Sequence, residues 1–345
     1  MKLRLIKNTA FSMIVFIIFL LLTELSLRVF FSVSHKVKSP RLEYSKVLGW
    51  DMKPYLVNRG MMGIYGSVKH STSKYGFREF GDLNTKKTKI LVIGDSFTYG
   101  RYISDGKMYY DYLKEKNPNL EIFAYGGEGY GTLQEYMILD KYIDLIKPDL
   151  ILWQFCDNDI INNSHELESE SNIHNNHMVR PYYIKGKVYM LYPAFARGVL
   201  YKLSRYSYLL RLLCIRLNLL KADKGESVEK SLSSSNPLFQ RSLKTTGEIL
   251  KLVKKRAGKI PIVGFLSFTQ TGLPEEIDSF LSAICFREGI HYLKGLPEIF
   301  DRAERKGIRV TGMPFDHHWN VAGNRLAGEL IFDYLERKDL VKDRF

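Results

Sequence analysis

The chain has 345 residues, enough for one large domain with attachments or for two small domains, and 45% of them are hydrophobic. Its formal net charge is +14, and the basic residues are spread along the chain. No arginine-rich segment, basic zipper or nucleic-acid-reading motif is present, so we expect no nucleic-acid partner. The excess charge fits either solvated surfaces or attraction to an anionic surface such as phospholipid headgroups. The three cysteines are far apart and resemble neither a metal knuckle nor a disulfide framework.

The N-terminus carries an apolar segment with basic residues before it. Its uninterrupted part is short for a membrane span, but apolar residues continue to position 31. Only Glu24 and Arg28 interrupt them, and their i, i+4 spacing allows them to pair on one helix face. Residues 9–31 would form a helix about 34 Å long at 1.5 Å per residue. We favour an uncleaved signal anchor over residues 1–31, although residues 32–34 weakly resemble a signal-peptidase site.

The rest of the chain divides into a connector and a main domain. Residues 32–85 are rich in Gly, Ser, Lys and Tyr, and we expect an extended connector that packs on the main domain at "LGWDMKP" and "YGFRE". Residues 86–345 form the main domain. Within it, residues 162–236 interrupt the alternation of predicted strands and helices and include a basic amphipathic segment. This insertion is either a cap over the core or a lid or helix at the membrane surface.

Apolar runs alternate with helical patterns from residue 87 onward, which predicts an α/β fold with a parallel sheet covered by helices on both faces. The predicted strands are "KILVIGDS", "EIFAYGG", "DLILWQFCDND", "IPIVGFLSF" and a weaker "GIHYLKGL". The predicted helices cover about 105–116, 131–148, 237–256, 274–288 and 320–337.

Polar and small residues follow the first three predicted strands. In such a sheet, ligands gather outside the carboxyl ends of the strands. Ser96 lies at the first end, after Gly94, which permits a sharp turn. The second end reads "GGEGYG", whose glycines allow backbone N–H groups to approach a reacting oxygen. Asn158, an amide donor, lies at the third end.

A later loop, "DHHWN", supplies Asp316 and His318 and can reach the same edge of the sheet. A serine, a base, an orienting carboxylate and a set of N–H donors are what acyl transfer requires. His317 is a rival base. We expect no metal or cofactor, because His165, His174 and His177 lie in a polar loop without further ligands that converge on them.

These residues also carry a family resemblance. "GDSFTYG", "GGEGYG", "DND" and "DHHWN" resemble the four blocks of the SGNH (GDSL-like) hydrolases, in order, over roughly residues 86–335. The N-terminal anchor and the connector look like those of membrane-anchored bacterial members. The resemblance implies a three-layer α/β/α, flavodoxin-like fold and ester hydrolysis or acyl transfer.

By position, the resemblance implies that Ser96 is the nucleophile and an oxyanion donor, that Gly129 and Asn158 are the other oxyanion donors, and that His318 is the base. Asp316 matches the acid in a D-x-H-W arrangement. Two positions depart from the pattern and could reshape the pocket. Cys156 replaces the glycine usual before the block III asparagine, and Ala124 replaces the asparagine that often opens block II.

The sequence therefore predicts a single-pass protein of the cell membrane whose catalytic domain lies outside the cytoplasm. Its function would be that of a serine esterase acting on an O-acyl group of an envelope glycan or of a lipid. Two alternatives remain open. One is an O-acyltransferase of envelope polysaccharide, and the other is a non-catalytic envelope scaffold with the same fold.

Overall fold

The structure, a computed structural model, describes residues 2–34, 41–63, 66–171, 174–176, 178–193, 203, 206–210, 212–213, 216, 235–267, 274–312 and 317–341. Its strands, in chain order, are β1 (Leu42–Ser45), β2 (Gly49–Met52), β3 (Val57–Gly63), β4 (Gly66–Ser71), β5 (Glu79–Phe80), β6 (Thr88–Gly94), β7 (Leu120–Gly126), β8 (Leu150–Cys156), β9 (Arg180–Ile184), β10 (Lys187–Leu191), β11 (Ile262–Ser267) and β12 (His291–Leu293).

The helices are α1 (Lys2–Ser34), α2 (Ser96–Tyr99), α3 (Tyr109–Lys116), α4 (Thr132–Ile146), α5 (Asp159–Asn162), α6 (His165–Glu170), α7 (Pro237–Ala257), α8 (Pro274–Arg287), α9 (Leu296–Arg305) and α10 (Val321–Arg337). Local signals set several of these boundaries. α7 begins with a proline after Asn236, whose side chain accepts hydrogen bonds from the first backbone N–H groups.

The centre of the molecule is a six-stranded sheet with the order β12-β11-β8-β6-β7-β5. The pairings among β6, β7, β8, β11 and β12 are parallel, and only the short edge strand β5 runs antiparallel, against β7. The parallel strands therefore follow the doubly wound, flavodoxin-like order. The predicted α/β class and all five predicted strands are confirmed.

Helices cover both faces of the sheet, so the fold has three layers. Along β6, Leu91 and Ile93 belong to one core and Ile90 and Val92 to the other, because successive side chains of a strand point to opposite faces. The first core includes residues of α4, α7 and α8, and the second includes residues of α3, α9 and α10. Burial on both faces explains why these strands read as continuous apolar runs.

The connector is more structured than expected. Two antiparallel hairpins, β1–β2 and β3–β4, occupy most of it. Beyond them, the buried Arg78 of "YGFRE" donates to the backbone oxygens of Ser71 (2.8 Å) and Ile103 (3.0 Å) and to Asp105 Oδ1 (2.5 Å). These bonds hold the connector on the main domain. α3 begins later than the sequence pattern indicated, after a turn in which Gly106 has a φ of +77°.

Other elements were not anticipated from sequence, namely β5, α5, α6, α9 and the β9–β10 hairpin of the insertion. All except α9 are short, and they are stabilised by packing on distant parts of the chain. In α9, Leu296, Phe300 and Ala303 recur at helical spacing and are buried in the second core, so a local signal for this helix was present. Most of the basic segment of the insertion lies outside the described residues.

The N-terminal helix α1 contains one segment, Lys7–Val29, that is long and apolar enough to cross a membrane, although a signal sequence has the same properties. The expected pair forms: Arg28 Nε lies 2.9 Å from Glu24 Oε1. Glu24 also accepts hydrogen bonds from Ser207 Oγ (2.9 Å) and from the backbone N–H groups of residues 208 and 209 (3.1 and 3.0 Å). The insertion thus contacts α1 near the C-terminal end of its apolar segment.

Replacing Gly126 tests the close packing at the end of β7. A Cβ at this position would lie 2.0 Å from the backbone nitrogen of Tyr99, so Gly126→Ala should destabilise the protein by at least about 1–3 kcal/mol. Gly247→Ala, in α7, is the matched control, because its Cβ would make only ordinary contacts with side chains of α8, the nearest being Ile284 Cδ1 at 3.6 Å. That variant should be as stable as the parent or up to about 1 kcal/mol more stable. Urea unfolding measures both changes, and equal stabilities for the two variants would contradict the packing argument.

Candidate active site

Ser96 lies at the first turn after β6, at the carboxyl end of the sheet. Asp95 caps the short helix α2, since its Oδ1 accepts the Phe97 N–H at 2.9 Å. Gly94 is required here: a Cβ would lie 2.3 Å from Gln154 Oε1 and 2.4 Å from Thr98 Oγ1. The glycine therefore allows the chain to turn against the neighbouring strand β8 and to carry the serine to the sheet edge.

His318 reaches Ser96 from a remote part of the chain. Its Nε2 lies 2.7 Å from Ser96 Oγ, a hydrogen-bond distance, although the two residues are 222 positions apart in sequence. The imidazole also packs beside the Phe97 ring, with centroids 4.8 Å apart. Of the two adjacent histidines, His318 is thus the one that contacts the predicted nucleophile.

The residues after His318 hold its backbone in place. Trp319 is buried and packs on Phe97, Phe265 and other rings of the second core. Asn320 accepts the Gly323 N–H at 2.9 Å and so caps α10, as expected from sequence. The Asn320 side chain also donates to two backbone oxygens of the preceding loop, at 2.8 and 3.0 Å. His318 is therefore carried on a segment anchored by the buried side chain of Trp319 and by the helix cap at Asn320.

Gly129 lies in the turn after β7 with φ of +69°, a conformation that favours glycine. A side chain would also collide there, because a Cβ would lie 2.6 Å from Asn176 Nδ2. The Gly129 carbonyl accepts hydrogen bonds from Asn176 (3.2 Å) and from Arg180, both in the insertion. The preceding carbonyl, of Glu128, accepts the indole N–H of Trp50 at 2.8 Å.

Asn158 follows β8 at the start of α5, and its backbone N–H donates to Asp157 Oδ1 at 3.0 Å. Its side-chain oxygen is buried, with no hydrogen-bond partner among the described residues. The fold therefore brings the ends of β6, β7 and β8, with Ser96, Gly129 and Asn158, to one edge of the sheet. Asp316, the predicted acid, lies outside the described residues.

A group of buried acids behind the site was not identified from sequence as a group. Asp95, Glu135 and Asp159 are each almost fully buried. Burial raises the pKa of all three carboxyls, and the charges of Asp159 and Asp95 raise the pKa of Glu135 further. Each also has a defined partner: Trp153 Nε1 donates to Glu135 at 2.7 Å, and the Cys156 N–H donates to Asp159 at 3.2 Å.

The cysteine and the loop histidines considered in the sequence analysis lie in surroundings that fit structural roles. Cys156 is buried, and burial raises the pKa of its thiol well above the usual range, which fits a core residue. His165 contacts the Tyr192 carbonyl, and the His174 backbone N–H donates to Ser171. His177 lies outside the described residues. Within the described part of the chain, no group of three His, Cys, Asp or Glu residues is arranged to hold a metal ion.

Residues 90–187 match the family model described as GDSL-like Lipase/Acylhydrolase. In structure, the chain is similar to a lipolytic protein of the G-D-S-L family from Desulfitobacterium hafniense DCB-2, at 14% identity and a TM-score of 0.42, over 72% of this chain and 99% of that one. It is also similar to a lipase/acylhydrolase from Enterococcus faecalis, at 14% identity and a TM-score of 0.42, over 72% and 96% of the two chains.

A third similar structure is the family 3 carbohydrate esterase of Clostridium thermocellum, at 12% identity and a TM-score of 0.41, over 74% of this chain and 100% of that one. The comparison with curated proteins gave no match. The family model spans the ends of β6, β7 and β8, which carry three of the candidate site residues.

The buried acids predict a pH dependence of stability. Because the folded protein retains protons that the unfolded chain releases above the ordinary carboxyl pKa, stability should fall as pH rises from about 4 toward the raised values. Glu135→Gln removes one of these charges and keeps an acceptor for Trp153. It should increase the free energy of unfolding at pH 8 and reduce its decline with pH. Urea unfolding between pH 5 and pH 8 measures this, with Glu115→Gln at an exposed site as the control.

Proposed function

Because residues 90–187 match a GDSL-like lipase/acylhydrolase model, we propose that this chain is an SGNH-type hydrolase of esters with Ser96 as its nucleophile and His318 as its general base. The observation that supports this assignment is the 2.7 Å contact between Ser96 Oγ and His318 Nε2 at the carboxyl edge of the sheet. Asp316 is proposed, from its place in the D-x-H-W motif, to accept a hydrogen bond from the other ring nitrogen and so fix the tautomer of His318.

In the proposed reaction, His318 Nε2 takes the proton of Ser96 as Oγ attacks the ester carbonyl carbon. The carbonyl oxygen becomes an oxyanion. As the tetrahedral intermediate collapses, the bond to the leaving alkoxide breaks, and His318 returns the proton to that oxygen. Water then attacks the acyl-serine with His318 as base. The products are the free acid and the alcohol, and Ser96 regains its proton.

The oxyanion hole is proposed to consist of the backbone N–H groups of Ser96 and Gly129 and the side-chain amide of Asn158. Three such donors come from the ends of three adjacent strands, and fixed donors of this kind stabilise the charge that develops on the carbonyl oxygen. Asp95 lies beside Ser96, but its hydrogen bond to the Phe97 N–H gives it a capping role.

For the substrate, we infer an O-acyl group on an envelope glycan or on a lipid, reached outside the cytoplasm from a single-pass anchor. The apolar segment of α1 supports the anchor. The hydrogen bonds of Glu24 to residues 207–209 support a location of the insertion close to the membrane surface, where an ester of either kind would be met.

Two alternatives have different consequences for the acyl-serine. In a transferase, a sugar hydroxyl replaces water and the acyl group moves to it, so that added acceptor lowers the yield of free acid. In a scaffold, no acyl-serine forms. The Ser96–His318 contact favours catalysis over a scaffold, because a scaffold does not require a base at hydrogen-bond distance from a serine hydroxyl.

The assignment predicts a graded loss of activity toward p-nitrophenyl esters. Ser96→Ala and His318→Ala should lower kcat by about 10⁴–10⁶-fold. Asn158→Ala should lower it by roughly 10²–10³-fold through the loss of one oxyanion donor. His317→Ala is the control for the neighbouring imidazole and should retain activity within a few-fold. A fluorophosphonate probe should label Ser96 and fail to label Ser96→Ala; full activity of Ser96→Ala would refute the assignment.

The anchor hypothesis predicts that the protein in the membrane fraction keeps its N-terminal segment. After extraction at alkaline pH, the full-length chain should remain in the membrane pellet, and mass spectrometry should recover peptides from residues 8–28. A mature chain that begins near residue 35 and is released into the soluble fraction would instead establish cleavage of a signal peptide.

A further inference from the structure

We propose that Trp50, in the connector, is a positioning residue for the oxyanion hole. It holds the Glu128–Gly129 peptide so that the Gly129 N–H faces the reacting ester. This inference rests on the proposed function, since it concerns one of the three donors assigned there.

The inference begins with a single peptide unit. Trp50 Nε1 donates to the carbonyl oxygen of Glu128 at 2.8 Å. That carbonyl and the Gly129 N–H belong to the same peptide, which is planar and in which the C=O and N–H bonds of the trans form point in opposite directions. A donor that fixes the direction of the carbonyl therefore also fixes the direction of the N–H, on the opposite side of the turn.

Gly129 makes such a restraint necessary. With φ of +69° and no Cβ, it can adopt several backbone conformations, and the peptide before it can rotate with little steric hindrance. A rotated peptide would point its carbonyl oxygen, rather than its N–H, toward the developing oxyanion. The hydrogen bond from Trp50 makes that rotation unfavourable, because it would leave the buried indole N–H without an acceptor.

Trp50 is itself held rigidly. It is 1% exposed, its backbone oxygen accepts the Tyr130 hydroxyl at 2.8 Å, and its ring meets the Tyr130 ring edge-on at 5.7 Å. The guanidinium of Arg180 lies over the indole ring at 5.0 Å. The indole therefore cannot follow a rotation of the turn and acts as a fixed support.

Arg180 restrains the next peptide of the same turn. It donates to the Gly129 carbonyl and, at 2.6 Å, to Gln134 Oε1. It is fully buried and forms an ion pair of 2.7 Å with Glu168, which is also fully buried. The two carbonyls that flank the turn are thus bound by groups from the connector and from the insertion. Replacing Arg180 alone would leave Glu168 buried without its partner, so Trp50 is the better residue to test.

The test uses the full-length protein and the variant Trp50→Phe, which keeps an aromatic ring and removes the N–H. With p-nitrophenyl esters, kcat should fall about 10–100-fold. This is less than the roughly 10²–10³-fold fall expected when one oxyanion donor is lost completely. KM should change less than about 3-fold, because the donor acts on the transition state. Affinity for a boronic acid that forms a tetrahedral adduct should fall in parallel with kcat, while the pH profile of kcat/KM keeps its inflection.

Trp153→Phe is the matched control. It also removes a buried indole N–H from its acceptor, Glu135 Oε2 at 2.7 Å, but that acceptor is not part of the turn. After correction for the folded fraction, its kcat should stay within about 3-fold of the parent. Should Trp50→Phe fold poorly, β-(3-benzothienyl)alanine in place of Trp50 keeps the bicyclic shape and lacks the N–H, and it should show the same selective loss of kcat.

The outcomes separate this inference from the proposed function. Ser96→Ala in the same assay tests the nucleophile independently of the turn. If Ser96→Ala is inactive but both variants at position 50 match Trp153→Phe, the role of Trp50 is refuted and the nucleophile stands. If Ser96→Ala remains active, the proposed function itself fails. Two further results would also overturn the positioning role. One is a KM that rises by the same factor as kcat falls in the variants at position 50. The other is a kcat that returns to the parent value once it is corrected for the folded fraction.

Discussion

A parallel sheet buried on both faces is the constraint on which the site depends. Because each strand end points to the same edge, the turns after β6, β7 and β8 lie side by side, and a loop 222 residues from Ser96 can complete the arrangement. The sheet is rigid for the same reason that its strands are apolar, since helices pack against both of its faces. Strand pairing therefore brings these turns to one edge, and contacts within and around the turns set the positions of their side chains.

The same burial places acids where their charge is unfavourable. Asp95, Glu135 and Asp159 lie behind the strand ends and hold backbone or indole N–H groups of the core. Their raised pKa values mean that part of the potential stability of the protein is lost near neutral pH. Two of these acids also fix turns at the site. Asp95 caps the helix that begins with Ser96, and Asp159 accepts a hydrogen bond from the turn that carries Asn158.

Segments outside the sheet also contact the turn that contains Gly129. The connector supplies Trp50 and the insertion supplies Asn176 and Arg180, and all three bind carbonyls of the turn that contains Gly129. Through Glu24, the insertion is in addition linked to the apolar helix α1. Different parts of the insertion thus contact the proposed membrane anchor and the turn of the proposed oxyanion donor.

The amino-acid sequence by itself determined the parallel-sheet class, the five main strands and most of the long helices, because apolar runs and helical periodicity are local properties of the chain. It also identified Ser96, Gly129, Asn158 and His318 as candidates, since each lies in a short motif at a strand end or loop. Only the tertiary structure showed how the connector folds, that three acids are buried together, and that Trp50 binds the Glu128 carbonyl; it also placed His318, already preferred from its motif, at hydrogen-bond distance from Ser96. Each of these depends on contacts between segments far apart in the chain, and such contacts leave no periodic or local signal in a single sequence.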